Sequence, residues 1–172
     1  DADWRGGRTW SLVYPAGEDV DAVLRAANEL YVYENALNPF RFPSLAHMEQ
    51  EICGMTRELL HAPEGAGGTM TSVGTESILM SVKAARNRAR EERGVSQPEM
   101  IAPISAHPAF AKAAEYLGVA LRQAPLADDL RVDVDAVRAL VTAQTVLIVG
   151  SAPNYPHGMI DPIPDLAAIA ME

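Results

Sequence analysis

From residue 99 onward the chain alternates short apolar runs with helical patterns, and this alternation constrains the fold more than any other feature. Glu99–Ile104, Val119–Ala124 and Thr145–Gly150 read as strands, Thr145–Gly150 being the most apolar. Pro108–Leu117, Val134–Val141 and Asp161–Met171 read as the helices between and after them. Strands separated by helices of about 10 residues argue for right-handed βαβ units on a parallel sheet. Thr69–Ser72 reads as one more short strand, and Gly74-Thr75 opens a long helix that ends near Gly94. The expected fold class is α/β.

Before that region the pattern is helical. Asp1–Trp10 is polar and Gly-rich and reads as an arm. Glu18-Asp19 opens a helix with Val20, Val23, Leu24, Ala27, Leu30 and Tyr31 at the spacing of one buried face, and Asn38-Pro39 stops the stretch. A second helix starts at Pro43-Ser44, with Ser44 as N-cap and Leu45, Met48, Ile52, Met55 and Leu59 as its stripe. The expected organisation is an arm with helices over 1–60 and an α/β region over 61–172.

Charge and composition narrow the function. The chain of 172 residues carries net charge -9, so a phosphate-neutralising basic surface, and with it nucleic-acid binding, is not expected. No apolar run reaches the ~20 residues that span a bilayer. The one cysteine, Cys53, can form no internal disulfide and sits mid-helix, where burial suits it better than nucleophilic duty. The four histidines, His47, His61, His107 and His157, show no metal-ligand spacing, so no metal is expected. A soluble, cytoplasmic protein is the expectation. Only two of the 14 basic residues are lysines, Lys83 and Lys112.

Three polar segments sit where the expected strands end. In Thr71-Ser-Val-Gly-Thr-Glu-Ser77 a small-residue turn enters a helix, which presents free backbone N–H groups and the positive end of a helix dipole. Gly74 admits a ligand close to the backbone, and Thr75 and Ser77 add hydroxyls; phosphate is the natural guest. The plainer reading is a capped helix, with Thr75 as N-cap and Glu76 completing the cap. His107, after the strand Glu99–Ile104, is either a ligand residue or a capping histidine. Gly150–Gly158 is a proline-stiffened loop carrying Ser151, Asn154, Tyr155 and His157, and for His157 a rigid turn is the better reading. Loops at strand carboxyl ends are where wound α/β folds bind ligands.

Gly68-Thr-Met-Thr-Ser-Val-Gly-Thr-Glu-Ser-Ile-Leu-Met80, continuing to Lys83-Ala-Ala-Arg86, resembles the sphingosine-1-phosphate lyase-like members of the pyridoxal-phosphate-dependent group II decarboxylases. Asn38-Pro-Phe-Arg-Phe-Pro-Ser-Leu45, Ile101–Phe110 and Ser151-Ala-Pro-Asn-Tyr-Pro-His-Gly-Met-Ile-Asp161 resemble further segments of that family in the same order. The resemblance implies the first, incomplete part of the large domain of a fold type I (aspartate-aminotransferase-like) enzyme, with a parallel or mixed sheet and flanking helices. It implies a homodimer with active sites at the interface and a small-molecule amine substrate. Carried over by position, Gly74 and Thr75 hold the phosphate of pyridoxal 5′-phosphate and His107 stacks on its ring. Asn154 and Tyr155 lie near ring or substrate, with Tyr155 and His107 as the catalytic candidates, and Asn38 lines the substrate entrance.

The family's Schiff-base lysine and the aspartate that holds the pyridine nitrogen have no counterpart among these residues. Val73 and Arg41 also depart from the pattern, standing where the family usually has Gly and often His. The implied activity is carbon–carbon cleavage of a phosphorylated long-chain base, with these residues alone inactive. Amino-acid decarboxylation is the alternative, and a truncated, non-catalytic binding module is the second.

Overall fold

The computed structural model describes residues 3–6 and 14–172, in two compact units, Asp1–Thr69 and Met70–Glu172. Most of the expected N-terminal arm lies outside the described residues.

The first unit holds two helices. α1 spans Glu18–Tyr31, and Glu18, Asp19 and Asp21 in its first turn complement the helix dipole. It ends at Tyr31, ahead of Asn38-Pro39; the residues between are turns, one of them built on the Asn35 side chain. α2 spans Pro43–Leu59 and starts on the proline, whose missing N–H costs nothing in a first turn. The N-cap position belongs to Phe42, so Ser44 does not cap this helix. Neither helix has a buried residue, contrary to the buried faces expected from their spacing: Leu24 is 61% exposed and Leu59 78%. The amphipathic faces stay uncovered among the described residues.

The second unit is the α/β region. Its elements are α3 (Gly74–Arg93), β1 (Glu99–Pro103), α4 (Ala109–Leu117), β2 (Ala120–Ala124), α5 (Val134–Leu140), β3 (Thr145–Ile148) and α6 (Ile163–Met171). The strands form a parallel sheet in the order β2-β1-β3, with Ile101 opposite Arg122 and Ile148. Central β1 buries both its faces, and the two-residue period of a strand divides them. Met100 and Ala102 join Val82, Ala113, Ala114 and Val149 in a core with α3 and α4. Ile101 faces the other way, into Ala124, Val132, Val137, Leu166 and Ile169, a core with α5 and α6. α3 and α4 stop on Gly94 and Gly118, which take the left-handed conformation that closes a helix with little strain.

The strand expected over Thr69–Ser72 does not form. The N–H of Ser72 donates to the Glu76 carboxylate at 2.7 Å, and the Thr71 hydroxyl bonds that of Ser77. Local side-chain bonds have taken the backbone away from the sheet.

Candidate functional site

The direction of α3 brings its first turn to the carboxyl edge of the sheet. At its far end the Arg93 guanidinium donates to the Thr145 carbonyl at 3.0 Å, where β3 begins. Its early residues Ile78 and Leu79 pack against the core that holds Ala102 and Val149, where β1 and β3 end. The helix therefore runs antiparallel to the strands. Since β1 and β3 are parallel neighbours, the loops after them, carrying His107 and Ser151–Asp161, leave the same edge.

The mouth of α3 is a cap and a donor set at once. Glu76 accepts from both the N–H and the hydroxyl of Ser72, each at 2.7 Å, and these bonds hold its carboxyl below the usual range. Glu76 thus makes one half of a capping box by reaching back to Ser72, with no helix N–H donating to the Ser72 side chain, and Thr75 is not the N-cap; that position is Val73. With the cap made outside the helix, the N–H groups of Gly74, Thr75 and Glu76 have no acceptor among the described residues. Thr75 is half-buried, Gly74 is exposed, and a Cβ on Gly74 would meet nothing within 4 Å. Free amides in open space at a helix N-terminus are the donor chemistry a phosphate requires. The hydroxyl of Ser77 is already engaged by Thr71.

His107 is exposed, and its Nδ1 accepts the N–H of Ala109, the first residue of α4, at 3.1 Å. It steadies the first turn of α4, and its Nε2 has no hydrogen-bond partner among the described residues. In the third loop the side chains divide between inside and outside. Tyr155 is 58% exposed. Asn154 is 1% exposed; its Oδ1 accepts from His157 N–H at 2.9 Å, and its Nδ2 reaches the Leu130 carbonyl at 3.5 Å. Its carboxamide is engaged within the protein, so it acts on this edge by shaping the loop. His157 and Ser151 are exposed and half-buried.

Asn38 belongs to the first unit, where its Oδ1 accepts from the N–H groups of Phe40 and Arg41, each at 3.1 Å, and fixes the turn ahead of α2. Cys53 is half-buried beside Gly68. Lys83 and Lys112 are both exposed. No cluster of His, Cys, Asp or Glu able to hold a metal occurs among the described residues.

Two polar residues on this edge were not singled out by the sequence reading. Ser105, between β1 and His107, is buried with a hydroxyl that has no partner among the described residues. Asp161, 1% exposed, closes the third loop. An Asp-Pro pair after a loop is a weak signal for such a residue, and Ser105 gave none.

The sequence model of the pyridoxal-dependent decarboxylase conserved domain matches residues 8–151. The chain belongs to this family. The family's cofactor is pyridoxal 5′-phosphate, and the fold is that of fold type I pyridoxal-phosphate enzymes. Sphingosine-1-phosphate lyase of Saccharomyces cerevisiae is 40% identical over 171 residues, 98% of this chain and 29% of that protein. A probable L-tyrosine/L-aspartate decarboxylase of Methanothermobacter thermautotrophicus is 42% identical over 168 residues, 94% of this chain and 45% of the other. Among solved structures, a Burkholderia pseudomallei sphingosine-1-phosphate lyase superimposes with a TM-score of 0.89 at 45% identity, covering 98% of this chain and 40% of that one. The chain spans about 30% of the length of the first curated relatives it matches. The free amides of α3 suit the phosphate of the family's cofactor, so the residues present fit the group.

Proposed function

We propose that this chain supplies the phosphate-holding edge of a pyridoxal-phosphate lyase that cleaves a carbon–carbon bond in a phosphorylated long-chain base. The observation that carries the reading is the 45% identity and 0.89 TM-score to the Burkholderia lyase over nearly the whole chain. When present, the cofactor supplies the electron sink. The chain's own part is binding and orientation. The amides of Gly74 and Thr75, with the Thr75 hydroxyl, would hold the phosphate, and the exposed His107 would stack on the ring. Tyr155, exposed on the loop that Asn154 shapes, would face ring or substrate. Asn38 would line the substrate entrance through the turn it fixes. These residues include no lysine in the family's anchoring position, so by themselves they are not expected to turn over substrate.

A homodimer with active sites at the interface is part of the same reading, and the exposed stripes of α1 and α2 offer apolar surface for it. So is a cytoplasmic setting, with which a single free cysteine agrees. The second reading, decarboxylation of an amino acid, rests on the 42% identity to the Methanothermobacter protein.

Product analysis separates the readings. Full-length protein incubated with cofactor and a phosphorylated long-chain base is expected to release a long-chain aldehyde and an aminoethyl phosphate. Release of carbon dioxide from L-tyrosine or L-aspartate, without cleavage of the phosphorylated base, would select the decarboxylase. No turnover of either, despite binding of the cofactor, would favour a non-catalytic module.

A further inference from the structure

We propose that Asp161 is a positioning residue whose carboxylate clasps the loop carrying Ser151, Asn154 and Tyr155 to the segment that follows β2. Two oxygens do this. Oδ2 accepts the N–H of Ser151 at 2.8 Å, and Oδ1 accepts the N–H of Val132 at 2.9 Å. The Asp161 N–H returns a bond to the Ser151 carbonyl at 2.9 Å, so the loop is closed at its base by a reciprocal pair. Val132 ends a strap bridged to Leu126 and packs in the same core as Ala124, the last residue of β2. One side chain therefore ties the exits of β2 and β3 together on the edge where the α3 amides open.

The chemistry of the clasp is specific to a carboxylate. The group is 1% exposed and no Lys or Arg pairs with it among the described residues; its partners are two backbone donors from segments 10 and 29 residues away. A buried charge is costly unless its hydrogen bonds are made, so the loop and the strap are each required by the other's anchor. An asparagine could accept only one of the two bonds and would turn its NH2 on the second N–H. Inside the loop the Asn154 carboxamide completes the same job, bonding His157 and Leu130, the latter within the strap. Asp161 touches no ligand in this account; it fixes where Ser151 and Tyr155 stand.

The inference rests on the proposed cofactor site, and its test separates the two. In full-length protein, titration with pyridoxal 5′-phosphate followed by absorbance is expected to show Asp161→Asn binding about tenfold more weakly. Val119→Ala, a change in the other core at the opposite end of β2, serves as the control for lost stability and is expected to stay within about twofold of wild type. Asp161→Asn binding as tightly as wild type would overturn the clasp, as would equal weakening in Val119→Ala. Amide exchange in the unmutated protein reads the clasp even if Asp161→Asn fails to fold. The Ser151 and Val132 amides share one acceptor residue, so their protection factors, each rate divided by its intrinsic value, are expected to agree within about tenfold. A Ser151 protection factor more than about tenfold below that of Val132 would refute a shared clasp. Failure of the unmutated protein to bind the cofactor would sink the functional reading while leaving the exchange result to judge the clasp.

Discussion

Glu76 governs the entrance to α3 without touching the groups that would hold a phosphate. Its carboxylate bonds to Ser72 hold its pKa down, the side-chain bond contributing most. A depressed folded pKa adds stability above the unfolded value, and that stability is lost as pH falls through the folded one. The Ser72 amide is therefore expected to lose protection as the solution is acidified through the carboxylate range, and Glu76→Gln to abolish that dependence; amide exchange against pH measures both. In the proposed site, Thr75 and His107 would face the ligand directly. A hydrogen bond to a charged group contributes about 1.5–3 kcal/mol, so Thr75→Ala in full-length protein is expected to weaken cofactor retention about tenfold. For His107, Ala is expected to shift the cofactor's spectrum and lower turnover, while Phe keeps binding better than Ala; identical spectra and rates in all three would leave His107 a cap alone. At this scale the sequence disclosed where Gly74, Thr75 and His107 stand, at the mouth of α3 and just ahead of α4, because a small-residue helix mouth and a histidine at a strand end are local patterns. It could not disclose Asp161, whose bond to Val132 spans 29 residues and exists only once the sheet is assembled.

Among the elements, periodicity placed β1, β2, β3 and the helices between them to within a residue or two, because burial on one or both faces writes itself into the order of apolar residues. Met100, wholly buried at the middle of the sheet, is the position where this order matters most. Met100→Ala is expected to cost about 2–5 kcal/mol, read from a denaturant midpoint. Two misreadings have physical causes. Thr69–Ser72 has strand-like residues, yet Thr71 and Ser72 spend their bonding groups on Ser77 and Glu76. The stripes of α1 and α2 are correctly periodic but meet no partner among the described residues, since amphipathicity records that a face is meant to be covered and not by what. Arg86 donates to the Leu117 carbonyl at 2.8 Å and braces α3 against α4.

For the whole molecule, the decisive count is two lysines. Lys83 is eight residues along α3 from Thr75, about 12 Å at 1.5 Å per residue, and Lys112 stands on another exposed helix face. Borohydride reduction of these 172 residues with the cofactor is expected to leave no stoichiometric adduct at either; mass spectrometry finding one would place an anchoring lysine where the family has none. The sheet carries a different consequence. Among the described residues its outer strands, β2 and β3, each have a single neighbour, and β3 is four residues of Thr-Val-Leu-Ile with neither a charge nor a proline. An unprotected apolar edge is a template for another chain's backbone. Expressed by themselves, these residues are expected to self-associate as their concentration rises, and light scattering across a concentration series checks it.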